Sequence, residues 1–192
     1  MTRPVFIAAL CLAGLVLLFV PVIWLMSPGG LELRITPVQE EFPILVLPME
    51  PDERFTLHYV HSVENTPIWE EHSMDKTGTL YIEEERYEKF GAGMGKMPGV
   101  GRMVTRGNHE AIVDMHMPVG NFVLRVGSAG VNHTIIWRGR QFNLSEKFPH
   151  RAVRFSGRPV NMLHKTWHSH GWGKNRNHYW FGQKYAQRKT ND

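Results

Sequence analysis

The chain begins with a long run of apolar residues in which polar residues do not recur at regular intervals. From Pro4 to Met26 no residue is charged, and residues 5–20 are almost wholly apolar. About 20 apolar residues at a rise of about 1.5 Å each span the core of a bilayer. The segment lacks the small-residue cleavage site of a signal peptide. It therefore predicts an uncleaved N-terminal membrane anchor over residues 1–30, with a cleaved signal peptide as the alternative.

The charges that flank this run indicate how it would lie in a membrane. Arg3 and the amino terminus stand on one side, whereas Arg34 and three glutamates stand on the other. Basic residues favour the cytoplasmic side, so the balance favours a cytoplasmic N-terminus. We therefore expect a single-pass protein of the cytoplasmic membrane whose main domain lies outside, in the periplasm or the extracellular space.

Residues 31–149 show the short apolar runs that are typical of β-strands, and turn-forming clusters separate these runs. No helical periodicity is long enough for a crossover helix, apart from a short possibility at residues 83–89. Seven or eight short strands at this spacing predict a mainly β domain, either a small β-sandwich or a barrel-like fold. The predicted strands are residues 42–47, 55–61, 68–74, 78–82, 111–115, 121–126 and 133–142, the last one a hairpin with its tip near Arg138-Gly139.

Residues 150–192 have a different composition. They carry 9 basic and 1 acidic side chains, whereas residues 1–149 carry 13 basic and 17 acidic ones. A segment so poor in aliphatic side chains cannot form a packed core alone, so we expect a basic, flexible C-terminal tail. Three interpretations stay open: a solvated extension, docking on an anionic membrane or a partner, and metal binding by His164, His168 and His170. An outside location argues against nucleic-acid binding.

Length and cysteine content limit the possible classes of protein. A chain of 192 residues with 42% apolar and 21% charged residues fits one globular domain with appendages. The single cysteine, Cys11, excludes a disulfide scaffold and a cysteine-based zinc site.

Gly91, Gly93 and Gly95 form a glycine-rich loop that invites comparison with nucleotide-binding motifs. Lys96 stands where a dinucleotide fingerprint requires glycine, and Met97 stands where a phosphate loop requires serine or threonine. The segment therefore predicts a loop with positive φ angles, and we expect no cofactor.

The main candidates for chemistry surround the turn between the predicted strands 55–61 and 68–74. Alternation places His61 on one strand and Glu70 on the next on the inward faces. If His61 opposes Ile68, then Glu70 is its diagonal neighbour and the two side chains can form a charge-assisted hydrogen bond. The predicted polar cluster, either ligand-binding or structural, consists of His61, Ser62, Glu64, Pro67 and Glu70.

Three roles for this cluster stay open. His61 and Glu70 would form a structural pin for the hairpin, with Pro67 fixing the turn. Alternatively, His61, Glu64 and Glu70 would build a ligand or metal pocket. Catalysis by His61 as general base and Ser62 as nucleophile is disfavoured, because adjacent residues of a strand point to opposite faces.

Several of these motifs together resemble a known family. They are His61-Ser62-Val63-Glu64, Pro67 with Glu70, a Leu80-x-x-Glu83 region and Phe90-Gly91-Ala92-Gly93. Over residues 31–144 the chain resembles the domain of unknown function 1850 (DUF1850) family. The resemblance implies a small, often membrane-anchored, extracytoplasmic protein without established activity, commonly found beside tripartite ATP-independent periplasmic (TRAP) transporters of the TAXI type. The solute receptors of those transporters bind glutamate-like or other carboxylate solutes.

From the resemblance we expect an accessory or solute-sensing component of a TRAP carboxylate transport system, without catalysis. Its partners would be the membrane and the permease or the solute-binding subunit. The alternative is a metal-binding or hydrolytic β domain that uses His61, Glu64 and Glu70.

Overall fold

The computed structural model describes residues 3–88 and 99–164, with only the backbone described for residues 3–13 and 16. Within these residues the protein is mainly β, with one long helix at the start. The elements are α1 Arg3–Met26, β1 Pro28–Pro37, β2 Leu45–Met49, β3 Phe55–Val60, β4 Pro67–Met74, β5 Leu80–Tyr87, β6 Arg102–Arg106, β7 His109–Val113, β8 Met117–Pro118, β9 Phe122–Arg125, β10 Thr134–Trp137, β11 Arg140–Asn143, α2 Leu144–Lys147 and β12 Ala152–Asn161.

The described strands form two antiparallel sheets. The smaller sheet has the order β2-β1-β12-β9, and the larger has the order β11-β10-β3-β4-β5-β7-β6, with β8 beside β5. The ends of the larger sheet do not pair with each other, so the described strands do not close into a barrel. The prediction of a mainly β domain is thereby confirmed, and the barrel-like alternative is wrong.

One hydrophobic core joins the two sheets. Leu33 and Phe155 from the smaller sheet and Phe55 and Met74 from the larger are at most 1% exposed and belong to the same cluster of buried side chains. Burial of an apolar side chain of this size contributes roughly 1.5–3 kcal/mol. The facing sides of the sheets therefore hold the domain together.

The hairpin predicted at residues 133–142 is confirmed. Strands β10 and β11 pair from Thr134↔Asn143 to Trp137↔Arg140. At the tip, Arg138 and Gly139 both have positive φ, 49° and 72°. Two positive φ angles give the turn a twist that matches the right-handed twist of the strands.

The C-terminal boundary of the β structure differs from the prediction. Residues 152–161, assigned above to the flexible tail, form β12, which pairs with β1 along its length and with β9 on its other side. Val153 and Phe155 are fully buried, while Arg154 between them is exposed. The prediction that the strands are complete before residue 150 is wrong, because the arginines at 151, 154 and 158 hid a short apolar face that consists of Val153 and Phe155.

The prediction of a possible short helix at residues 83–89 is also wrong. Residues 80–87 form β5, which pairs with β4 on one side and with β7 on the other. Charged side chains point to alternate faces of this strand, so a run of four charged residues remains compatible with a sheet.

Helix α1 leads directly into the β domain. Ser27 follows its last residue, and the Ser27 hydroxyl donates to the Trp24 carbonyl at 2.6 Å. Among the residues whose placement the structure describes, no helix is both long and apolar enough to cross a membrane.

Candidate functional site

A group of polar side chains lies on the inward face of the larger sheet. In the register, Glu70 stands between Leu57 and Glu85, and Ile68 stands between Tyr59 and Tyr87. Directly opposite residues share a face, and so do alternate residues of one strand. The inward polar cluster, as we call it, consists of Tyr59, Glu70, His72, Glu85, Tyr87 and His133.

Glu70 is the centre of this cluster. The Tyr59 hydroxyl donates to Glu70 Oε1 at 2.8 Å, and His72 Nε2 donates to Oε2 at 3.1 Å. Burial raises the pKa of the Tyr59 hydroxyl, and the Glu70 carboxylate adds to the increase. Tyr59 therefore keeps its proton and remains a donor to Glu70.

His72 is held between two aromatic rings. Its ring stacks on Phe55 at a centroid distance of 5.1 Å and on Phe122 at 5.4 Å. The side chain is 2% exposed, and its Nδ1 atom has no hydrogen-bond partner within the described part of the chain. The two stacking rings thus fix the direction from which His72 reaches Glu70.

Glu85 and Tyr87 form the second half of the cluster. The Tyr87 hydroxyl donates to the Glu85 carboxylate. Burial raises the pKa of Glu85; the bond from Tyr87 opposes this, and the nearby Glu70 carboxylate supports it. Each carboxylate of the facing pair thus has its own tyrosine donor, and burial disfavours the charged form of Glu85.

His133 closes the cluster on the side of β10. Its Nδ1 accepts the Gly127 N–H at 3.0 Å, and its ring packs against Tyr59 at 5.1 Å between centroids. Burial lowers the pKa of His133, with Glu70 acting in the opposite direction. The acceptor role of Nδ1 requires the neutral tautomer that carries its proton on Nε2.

The chemistry of this cluster is that of a hydrogen-bonded network. Its hydroxyls donate to its own carboxylates, and none of the six residues is a serine, cysteine or lysine nucleophile. In the stretches that the structure describes, no three His, Cys, Asp or Glu side chains are grouped so that they could hold a metal ion. The hydrogen bonds thus tie the two tyrosines to the two carboxylates within the sheet itself.

The structure does not bring His61 and Glu70 together. The last pair of the hairpin is Val60↔Pro67, so that Tyr59 rather than His61 faces Ile68, and the predicted register is wrong. His61 lies in the loop, where its Nδ1 accepts the N–H groups of Val63 and Glu64 at 3.4 and 3.2 Å. His61 thus shapes the turn, while Tyr59 and His72 bond to Glu70 in its place.

The other predicted site residues lie in different parts of the chain. Ser62 and Glu64 are exposed in the loop, and Pro67 begins β4. His164 lies near the end of β12, with Nε2 2.7 Å from Glu32 Oε1. The remaining candidates lie outside the described residues: Gly91, Gly93, Gly95, His168 and His170.

Sequence reasoning missed most of the inward polar cluster. Strand alternation puts Tyr59 on the same face as His61 and His72 on the same face as Glu70, but the predicted cluster includes neither Tyr59 nor His72. Glu85 and Tyr87 fell in the segment considered for a helix. If the strand had been predicted to continue through Tyr87, strand alternation would have placed Glu85 and Tyr87 on one face and so indicated that they lie together.

A cleft of about 520 Å³ lies between the start of β2 and the β10–β11 hairpin with α2. Its apolar lining includes Ile44, Leu45 and Leu144, each at most 4% exposed. Arg140 and Lys147 add two cationic side chains, and Glu146 adds one carboxylate. We call this the basic cleft; its volume is in the range of about 300–1,000 Å³ typical of small-molecule sites.

The amides at one wall of the basic cleft are held in place. Asn143 Nδ2 donates to Asn132 Oδ1 at 2.6 Å. The other side-chain atom, Asn143 Oδ1, accepts the Glu146 N–H at 2.9 Å and caps α2. This wall is therefore formed before any ligand arrives.

Comparison with known proteins identified one family. The profile of a family described as a domain of unknown function, DUF1850, matches residues 55–144. No curated protein and no solved structure matched the chain. All six residues of the inward polar cluster lie within the matched segment, whereas β1, β2 and β12 lie outside it.

Proposed function

We propose a function from the premise that this chain, through residues 55–144, is a member of the DUF1850 family. It would be a membrane-anchored, extracytoplasmic accessory or solute-sensing component of a TAXI-type TRAP carboxylate transport system. The association with such transporters is what the resemblance implies. The proposal assigns the protein no catalytic role. Its action would be to bind a carboxylate solute and a transporter subunit.

The observation that carries the solute-sensing part is the basic cleft. A small carboxylate needs cationic donors for its charged end and apolar surface for its carbon chain. Arg140 and Lys147 supply the cations, and an arginine fork matches a carboxylate with two parallel hydrogen bonds. Ile44 and Leu144 supply the apolar surface.

The inward polar cluster supports a non-enzymatic role. Glu70 already accepts from Tyr59 and His72, so each of its carboxylate oxygens has a donor within the protein itself. The alternative site of His61, Glu64 and Glu70 lacks geometric support, because His61 bonds to its own loop. The basic cleft is thus the better place for a solute.

The sequence of α1 supports the anchoring part of the proposal. Residues 4–26 carry no charge, and all of them lie in one helix of 24 residues. At about 1.5 Å per residue, a charge-free stretch of this length would reach across a bilayer core, although no helix among the described residues meets both the length and the hydropathy required of a membrane span. The β domain begins at Pro28, so it would lie directly at the boundary between membrane and water on the outer side of the cytoplasmic membrane.

Affinity purification tests the transporter association. The tagged full-length chain is expressed in its native host, solubilised in mild detergent and purified, and its partners are identified by mass spectrometry. We expect a TRAP permease or its solute receptor to co-purify. Recovery of the chain without either subunit, under conditions that keep the permease and receptor themselves together, would contradict the association.

A further inference from the structure

The outward face of the smaller sheet, on the side away from the hydrophobic core, carries an excess of positive charge. Strand alternation places arginines from three neighbouring strands on this face. They are Arg34 of β1, Arg154 and Arg158 of β12, and Arg125 of β9. Among the strand residues that the structure describes, Glu32 of β1 is the one carboxylate on the same face. Four guanidinium groups thus share a single negative charge.

Glu32 is already engaged by other cationic or polar groups. Arg158 donates to Glu32 Oε2 at 3.1 Å from Nε and at 3.0 Å from Nη2. The other oxygen, Oε1, lies 2.7 Å from His164 Nε2. Both oxygens of this carboxylate therefore have partners, and neither partner is Arg34.

Arg34 is the guanidinium group that stays without a counter-ion. The side chain is partly buried, and its Nε atom is buried without a hydrogen-bond partner in the described part of the chain. Burial lowers the pKa of Arg34, and Arg158 lowers it further, while Glu32 acts in the opposite direction. A cation that is partly removed from water needs a compensating partner. A bound anion would supply one.

Two hydroxyl groups and a second guanidinium group lie beside Arg34. In the register of β1 with β12, Arg34 stands opposite Ser156 and Thr36 stands opposite Arg154. We call these four residues the outer block. Opposite Cβ atoms in such a sheet are about 4.5–5.5 Å apart and diagonal ones about 7–8 Å, so both arginines can reach one small group between them. Within residues 3–88 and 99–164, none of the four side chains has a hydrogen bond or an ion pair.

The donors of the outer block match a phosphoryl group. A phosphate monoester carries about 1.5–2 negative charges and three acceptor oxygens near neutral pH. Guanidinium groups bind such oxygens through paired N–H donors, and serine and threonine hydroxyls donate to a further oxygen. A carboxylate has one charge and two oxygens, so a single arginine satisfies it. Two arginines with two hydroxyls therefore favour phosphate.

We propose that the outer block binds a phosphoryl group, either of a soluble phosphate compound or of a lipid headgroup. The site lies in the middle of the sheet, because β1 and β12 are its two interior strands. Strand positions of this kind hold side chains more precisely than loops do. The outer block shares no residue with the lining of the basic cleft, so this inference goes beyond the proposed function and does not depend on it.

Thermal unfolding of the full-length chain in a neutral detergent tests this inference. Inorganic phosphate is added against sodium chloride of the same ionic strength, and tryptophan fluorescence gives the Tm. We expect a saturable rise of about 2–4 °C at several times the dissociation constant. Phosphate also stabilises proteins in general through its exclusion from their surface. The part that belongs to the site is therefore the difference between matched variants.

The outer-block variant carries Arg34→Gln and Arg154→Gln. The control removes the same charge from exposed positions outside the smaller sheet, with Arg54→Gln and Lys76→Gln. We expect the control to keep the saturable rise in Tm and the outer-block variant to lose it. Arg154 is exposed, so the single variant Arg154→Gln gives a second readout, a weaker response to phosphate, if the double variant does not fold.

A parallel series identifies the source of the phosphoryl group. Detergent micelles that contain phosphatidate replace the free phosphate. A rise in Tm with phosphatidate alone, lost in the outer-block variant, would support a lipid headgroup. A rise with free phosphate alone, lost in the same variant, would support a soluble phosphate compound.

Two results would overturn the inference. The first is a response to phosphate and to phosphatidate that is absent, or that is equal in the wild type and the folded outer-block variant. The second is an equal response to succinate that also depends on the two arginines of the outer block, since the site would then recognise carboxylates. Neither result concerns Arg140 and Lys147 of the basic cleft, so the proposed solute site is tested separately.

Discussion

Glu70 and Glu85 lie directly opposite each other on the inward face of the neighbouring strands β4 and β5. Like charges at such positions repel, and burial increases the penalty. The structure supplies one tyrosine donor to each carboxylate, Tyr59 to Glu70 and Tyr87 to Glu85. The raised pKa of Glu85 favours its protonated form, and a proton on Glu85 removes one of the two facing charges.

We expect Glu85→Gln to stabilise the protein at neutral pH. The pKa of Glu85 is higher in the folded chain than the ordinary glutamate value of about 4.3. Ionisation of Glu85 therefore reduces the stability of the fold as the pH rises above that value. Glutamine keeps an acceptor for Tyr87 and removes the charge that faces Glu70. The gain in unfolding free energy should be roughly 0.2–1 kcal/mol at pH 7.5 and should disappear towards pH 4. Urea denaturation at several pH values measures it.

Glu84→Gln is the matched control for this prediction. Glu84 lies next to Glu85 on the opposite face, where it pairs with Arg86 and Arg106 at 3.4 and 3.2 Å. Removal of its charge should reduce stability slightly, by at most about 1 kcal/mol. A loss of stability in Glu85→Gln equal to that in Glu84→Gln would show that the facing carboxylates do not repel.

Coupling energies should show that Glu70 acts with Tyr59 and not with His61. The Tyr59→Phe and Glu70→Gln substitutions both affect one hydrogen bond, so their effects should differ from additivity by about 0.5–3 kcal/mol. His61→Ala and Glu70→Gln should add within about 0.5 kcal/mol, since the two side chains share no contact. Thermal or urea unfolding of the single and double variants gives both values. Strong coupling of His61 with Glu70 would instead support the pair first predicted from the sequence.

His133 should make the protein sensitive to acid. Burial lowers the pKa of His133, so the unfolded chain binds its proton at a higher pH than the folded chain does. The contribution of neutral His133 is therefore present above about pH 6.5 and is lost as the pH falls below that value. We expect His133→Asn to cost about 1–3 kcal/mol at pH 7.5, through loss of a buried hydrogen bond, and clearly less at pH 5.

The control for this pH dependence is His150→Asn. His150 is exposed and has a positive φ of 62°, a conformation that asparagine accepts readily. Its difference from the wild type should be small and nearly constant between pH 7.5 and pH 5. If His133→Asn shows the same flat difference, then His133 does not carry the acid sensitivity.

Truncation should separate β12 from the segment that follows it. A chain that ends at His164 keeps β12, so its cooperative unfolding should match that of the full chain. A chain that ends at Arg151 loses the strand between β1 and β9, together with fully buried Val153 and Phe155. Loss of two such side chains costs several kcal/mol by itself, and we expect no cooperative transition. Calorimetry that shows equal unfolding enthalpies for the two shortened chains would contradict the role of β12.

The sequence predicted the strands whose apolar positions alternate over several residues. In β3, Phe55 and Leu57 are buried with Thr56 between them, and the pattern is visible without any structure. The tip of the β10–β11 hairpin was also visible, because Arg138-Gly139 is a turn-forming pair between two strand-forming runs. Local patterns of this kind depend on the period of the strand and little else.

Other features depend on partners that are distant in sequence. Phe155 is buried because β12 pairs with β1, more than a hundred residues away, and nothing near Phe155 signals that pairing. Glu70 faces Glu85 only because β4 and β5 have a particular register, which includes an irregularity between Glu71 and His72. A shift of two residues at the hairpin turn was enough to replace Tyr59 with His61 in the predicted site.

Isothermal titration calorimetry of the full-length chain in detergent tests the central claim most directly. L-glutamate and succinate are titrated into the wild type, into the double variant Arg140→Gln, Lys147→Gln and into the control Lys76→Gln, Arg125→Gln. We predict saturable binding of at least one carboxylate at one site, weakened by about tenfold or more in the cleft variant and unchanged in the control. Absence of binding to the wild type, or equal binding to the wild type and the folded cleft variant, would contradict a solute site in the basic cleft.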